Sequence, residues 1–264
     1  AVSKKNALVV AGPGAGKTEL LAQRACFLLQ TNRCPAPYRI LAISFKREAA
    51  ANLKKRVELR SGRDLATRLD SMTYDAFAKD LLDRFGNSIP SSLMPDPSFE
   101  HVVGPATYDD AYHKHLLALP DADCTLGNQA RQSIWARELV SAGMLGIALP
   151  FENWPNDNLY IAAEAVWRSL LRENPSPLSF PMISRLAEYV INSNLAVHRA
   201  LQATYRYVFL DEFQDTTNVQ FSLTTTCFCG SDAVFTAVGD SKQRIMGWAG
   251  ALDGVFQQFQ SRFS

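Results

Sequence analysis

No apolar run in this 264-residue chain approaches the roughly 20 residues that a membrane-spanning helix requires, and none is expected. The opening residues, Ala1 to Lys5, carry no signal-peptide pattern. Cysteine is sparse and odd in number. Cys26, Cys34, Cys124, Cys227 and Cys229 make no disulfide framework in a chain of this length. The C-x-C pair Cys227/Cys229 has no second pair or histidine cluster near it, so structural thiols are expected rather than a metal site. An excess of either charge is lacking too: 27 Lys and Arg stand against 26 Asp and Glu. A net charge of +1 gives no bulk attraction to nucleic acid, so any such binding must come from a local patch. Repeats and low-complexity tracts are absent. What remains is an ordinary globular composition, 47% hydrophobic and 20% charged, enough for one large domain or two modest ones. A soluble, cytoplasmic protein is the expectation.

The chain's order of elements reads from its periodicities. Ala7 to Ala11 is a short apolar run that ends in glycines, and Thr18 to Gln30 repeats at helical spacing through Leu20, Leu21, Ala25 and Leu28. Ile40 to Phe45 reads as a second buried strand, followed by a helix from about Ala49 to Arg60. Stacked βα units imply a parallel sheet. A third strand is expected at Leu65 to Ser71, then a helix from Tyr74 to Phe85. From about Pro90 the character changes, with prolines 90, 95, 97 and 105 before helical stretches near Thr107 to Leu119, Gly127 to Ala142, Asn158 to Leu171, Pro181 to Asn192 and Leu195 to Tyr205. Strand signals return at Tyr207 to Leu210 and Ala233 to Val238. The expected architecture is an α/β phosphate-loop fold, its parallel sheet flanked by helices, divided into residues 1–90 and 205–264 around an all-helical insert at 91–204.

Two motifs carry the chemistry. Gly12, Pro13, Gly14, Ala15, Gly16, Lys17 and Thr18 spell G-x-x-x-x-G-K-[ST] between a strand and a helix. Glycines there let backbone N–H groups converge on phosphate oxygens, and the following helix adds its positive end. Lys17 would reach the β- and γ-phosphates, and the Thr18 hydroxyl would ligate Mg²⁺. Such a loop needs a second metal-holding carboxylate at the end of another buried strand, and Tyr207 to Glu212 supplies it. Asp211 is the metal candidate; Glu212 is the candidate for polarising the attacking water. Binding of ATP with Mg²⁺ is therefore expected.

Asp211-Glu212-Phe213-Gln214-Asp215 resembles motif II of the UvrD/Rep branch of superfamily 1 helicases, and the resemblance continues along the chain in that family's order. Val238 to Ala251 is similar to motif III, which implies that Gln243 senses the γ-phosphate and Trp248 stacks on a base of single-stranded DNA. Ile40 to Val57 resembles motif Ia, with Phe45 in the DNA-stacking place. Thr73 and Phe77 match the next segment, which makes Thr73 a DNA-binding candidate. The resemblance also implies a RecA-like fold and ATP-driven 3′ to 5′ movement on single-stranded DNA. It departs from the family at Lys46-Arg47-Glu48, at Met246 and Ala249, and at Glu19, where an arginine is common.

Residue chemistry agrees. An aromatic beside basic residues is a stacking platform worth about 1–3 kcal/mol per base. Lys46 to Arg68 holds eight basic residues against three acidic ones. Core packing remains open for Phe45 and Trp248, and a solvated helix face for the basic stretch; for Trp135, Trp154 and Trp167, core packing is expected. By resemblance the chain ends before a second RecA-like domain, so a fragment with weak turnover is expected. A binding module without turnover, or another kind of phosphate-loop ATPase, is the alternative.

Overall fold

The computed structural model describes residues 5–101, 143–156, 158–240, 242–243 and 251–263. The expected helices at Thr107 to Leu119 and Gly127 to Ala142 lie outside them, as do Cys124, Trp135, Met246, Trp248 and Ala249. In chain order the elements are β1 (Ala7–Val10), α1 (Lys17–Gln30), β2 (Arg39–Ser44), α2 (Arg47–Ser61), α3 (Arg63–Ala66), β3 (Leu69–Thr73), α4 (Tyr74–Phe85), β4 (Glu100–His101), α5 (Asn158–Leu171), β5 (Pro177–Leu178), α6 (Phe180–Ser193), α7 (Leu195–Thr204), β6 (Tyr205–Leu210), α8 (Asn218–Phe228), β7 (Val234–Gly239) and α9 (Val255–Phe263).

Two compact units divide the chain: residues 1–77 with 194–264, and residues 78–193. The first holds a five-stranded sheet in the order β1-β7-β6-β2-β3, every pairing parallel. Its inner strands are continuous apolar runs because both faces are covered. On one face, Leu21, Ala25 and Leu28 of α1 and Leu53 and Val57 of α2 pack with Ile40, Ala42 and Phe209 of the sheet. A second cluster is aromatic: Phe213, Phe259 and Phe263 join Phe235, with ring centroids 4.1 Å apart for Phe235 and Phe263 and 5.5 Å for Phe213 and Phe259. The rings supply large apolar areas per side chain.

The expected strand at Leu65 to Ser71 is displaced. Gly62, at φ 82°, stops α2, and the chain then turns back into helix, with Ala66 N–H donating to Gly62 O and Thr67 N–H to Arg63 O. Leu65 and Ala66 therefore belong to α3, and pairing with β2 begins only at Leu69 opposite Ile40.

The second unit is helical apart from a two-residue parallel pairing of β4 with β5 among the described residues. Ala163, Val166, Trp167 and Leu170 of α5 and Met182, Leu186 and Val190 of α6 are buried. Trp167 is wholly enclosed, edge-on to Phe151, while half-buried Trp154 donates its indole N–H to Ala148 O at 2.6 Å. Arg185 and Glu188 form a buried ion pair, and Arg185 also donates to Gly146 O at 2.6 Å.

Candidate active site

All five strands of a parallel sheet end at one edge, and that edge is where α/β folds place ligands. β1 delivers the glycine loop there. Gly14 and Gly16 adopt φ of 70° and 76°, a region that strains a residue with a Cβ, and Gly16 is the residue from which α1 starts. Ala11 N–H donates to Gly239 O at 3.0 Å, which seats the loop's first residue beside β7. Lys17 is buried to 9% exposure, and its ammonium lies over the loop's own carbonyls, 3.3 Å from Ala11 O and 3.4 Å from Gly12 O. Gly12, Pro13, Gly14, Ala15 and Gly16 are all exposed, so the loop faces solvent.

Two strands along the edge, β6 leads directly into Asp211. Its backbone N–H donates to Ile43 O at 2.9 Å, and its side chain is almost fully buried. The Thr18 hydroxyl donates to Asp211 Oδ2 at 2.9 Å, joining residues 193 positions apart. Burial pushes the Asp211 carboxyl above its ordinary range; the hydrogen bond from Thr18 opposes this, the neighbouring charge of Glu212 adds to it, and Lys17 opposes it from further away. These are hard oxygen donors. Mg²⁺ is commonly held by one or two protein oxygens together with phosphates and water, and the pair fits that donor set. Among the described residues no group of three or more His, Cys, Asp or Glu side chains is arranged to hold a metal ion.

Glu212 follows in a left-handed conformation, φ 49° and ψ 45°, which is uncommon for a residue with a side chain and clusters at functional sites. Its carboxylate accepts a hydrogen bond from Gln214 Nε2 at 2.8 Å. Gln243 is exposed beyond the end of β7, its N–H donating to Asp240 O at 3.1 Å. Gln214, Gly239 and Asp240 were given no role on sequence grounds, although D-E-x-Q-D and Gly-Asp at a strand end were visible signals.

Two of the DNA candidates, Phe45 and Thr73, lie at the other half of the edge. Ser44 and Thr73 are register partners at the ends of β2 and β3, and half-buried Phe45 comes one residue later. With strands about 4.8 Å apart, β2 lies three steps, about 14 Å, from β1. Thr73 is buried, and its hydroxyl accepts the Ala76 N–H at 3.2 Å, capping α4. The basic stretch is sorted by its surroundings. Arg56 and Arg60 pair with Glu19, Arg63 pairs with Glu58, and Arg68 donates to the carbonyls of Cys34 and Tyr38. Lys46, Arg47, Lys54 and Lys55 remain exposed.

A five-stranded parallel sheet flanked by helices, with a phosphate loop on one strand and an Asp-Glu pair at the end of another, defines a RecA-like α/β domain. The UvrD/REP helicase N-terminal domain family matches the chain over residues 1–264, and the chain belongs to that family. It is 27% identical over 248 residues to the ATP-dependent DNA helicase Rep of Escherichia coli, covering 92% of this chain and 35% of that protein. A probable DNA helicase II homolog of Mycoplasma capricolum is 25% identical over 271 residues, with coverage of 97% and 35%. The ATP-dependent DNA helicase PcrA of Leuconostoc citreum is 26% identical over 252 residues, with coverage of 92% and 32%. The chain thus spans about a third of the length of these relatives.

Proposed function

We propose that this chain binds ATP with Mg²⁺ and forms the ATP-binding part of a DNA helicase that couples hydrolysis to 3′ to 5′ movement along single-stranded DNA. The observation that carries the reading is the 2.9 Å contact between Thr18 Oγ1 and Asp211 Oδ2 beside the phosphate loop. Thr18 and Asp211 would hold the ion, which would neutralise charge on the β- and γ-phosphates. Lys17 moves from its loop carbonyls onto phosphate oxygens, exchanging neutral acceptors for charged ones. Glu212 orients the attacking water, and Gln243 reports on the γ-phosphate. The names of the relatives, ATP-dependent DNA helicases, support the wider activity.

Calorimetry with ATP and Mg²⁺ on the wild type and on Lys17→Ala tests this. A loss of affinity of at least tenfold is expected, since a charge-assisted contact is worth about 1.5–3 kcal/mol. Equal affinity in the two proteins would contradict the assignment.

A further inference from the structure

We propose that Gln214 is a positioning residue for hydrolysis, its side-chain amide holding the Glu212 carboxylate in place and tying it to the loop that carries Gln243. This rests on the reading of Glu212 as the water-orienting carboxylate.

Gln214 is 3% exposed, so its amide must find its partners within the protein. The Asp240 backbone N–H can only donate, and it lies 2.9 Å from Gln214 Oε1. That contact fixes which end of the amide is oxygen and turns Nε2 toward Glu212 Oε2, 2.8 Å away. The room for this amide comes from a glycine. A Cβ on Gly239 would stand 2.7 Å from Gln214 Oε1 and 2.9 Å from the Phe256 ring, closer than real Cβ atoms come.

Asp240 also organises the loop after β7. Its Oδ1 accepts the Lys242 N–H at 2.9 Å, and its carbonyl accepts the Gln243 N–H at 3.1 Å. A continuous path of hydrogen bonds therefore runs from the Gln243 backbone through Asp240 and the Gln214 amide to the Glu212 carboxylate. A left-handed backbone such as that of Glu212 persists only where its surroundings over-determine it, and the Gln214 amide is one of those restraints. Because the amide is neutral, it orients the carboxylate without placing a second net charge beside Asp211. The position of the Asp240 amide is thereby linked to that of the group that orients water.

The test is steady-state phosphate release by the full-length protein with oligo-dT, alongside ATP affinity. Gln214→Glu keeps the size of the side chain and an acceptor for Asp240 N–H, but it replaces the neutral amide donor with a second carboxyl against Glu212, where the two either repel or share one proton. Gln214→Met keeps the length and removes both bonds. Each is expected to lower kcat on the order of 10- to 100-fold while KM for ATP stays within about twofold, because small misplacements of a reacting group carry that cost. Gly239→Ala, which pushes on the amide, is expected to do the same. In a Glu212→Gln background, Gln214→Met should add less than about a twofold loss, as residues acting as a unit are not additive. A purely structural role would instead lower ATP affinity or melting temperature in both backgrounds alike. Turnover that needs Lys17 yet ignores Gln214 overturns this proposal alone, as do independent, multiplying losses at 212 and 214. Turnover that survives Lys17→Ala overturns the nucleotide reading and the proposal together. Should Gln214→Glu fail to fold, Gln214→Met and Gly239→Ala decide.

Discussion

Burial pushes the carboxyl of Asp75, in the first turn of α4, up to about 6, against the pull of a hydrogen bond from Gln220 and the charge of Arg47. A carboxyl raised above its unfolded value of 3.8 binds its proton more tightly in the folded state. Its contribution to stability is therefore present at low pH and is lost as pH rises through about 6. The loss is at most about 3 kcal/mol, and solvent at this half-exposed side chain lowers it. Asp75→Asn, which cannot ionise, should melt higher than the wild type at pH 7.5 and show little advantage at pH 4. Thermal denaturation at both values checks this, and an advantage independent of pH would contradict the role of burial. Glu19 also acts locally: standing where the family commonly has arginine, it binds Arg56 and Arg60 and so links α1 to α2.

At the scale of elements, helix starts decide much of the edge that carries the site. α8 opens with a capping box in which Thr217 and Gln220 satisfy each other's backbone N–H groups, and α4 opens on the Thr73 hydroxyl. Thr217→Ala should cost about 1 kcal/mol, seen as a melting temperature lower by about 2–4 °C. Thr73→Val should lose a similar amount while Thr73→Ser keeps it, measured by urea unfolding; equal stability of Val and Ser would mean the cap is not used. The spans of α4 and α5 agree with their periodicity, and β2 differs from its expected span by one residue at each end. The strand expected at Leu65 fails for a local reason, since Gly62 ends one helix and starts another, and a short apolar pair reads alike in strand and helix. α8 and α9 were not expected at all. The apolar residues of α8 are weakly periodic, whereas α9 buries Val255, Phe259 and Phe263 at helical spacing, a legible signal; Phe228 of α8 and Phe263 of α9 both pack against Phe235.

Over the whole molecule, that aromatic cluster and the distribution of charge give separate tests. Phe259 is 3% exposed and touches Phe213, Phe235 and Phe263, so Phe259→Ala should cost about 3–5 kcal/mol by removing a large buried ring, read from chemical denaturation. On the proposed function, with a net charge of only +1, binding of single-stranded DNA depends on local cations, and Lys46, Arg47, Lys54 and Lys55 of the basic stretch are exposed. Anisotropy of labelled oligo-dT is expected to weaken with rising salt and with Phe45→Ala, and reversing Lys54 and Lys55 to Glu should flatten the salt dependence. An affinity indifferent to salt would remove phosphate contacts from the account.

The strand, glycine loop and helix at Ala7 to Gln30, the apolar strands, and the linear order of the motifs were determined by the sequence itself. Propensity, turn chemistry and hydrophobic period act over a few residues and leave a local imprint. Only the tertiary structure decided that Thr18 would meet Asp211, that β7 would run between β1 and β6, and that Thr73 would cap a helix. It also decided which basic residues are paired and which stay exposed, and it set the Gln214 amide between Glu212 and Asp240. Those outcomes depend on strand order and on the packing of residues up to 193 positions apart, and no short window of sequence holds the information that brings such residues within hydrogen-bonding distance.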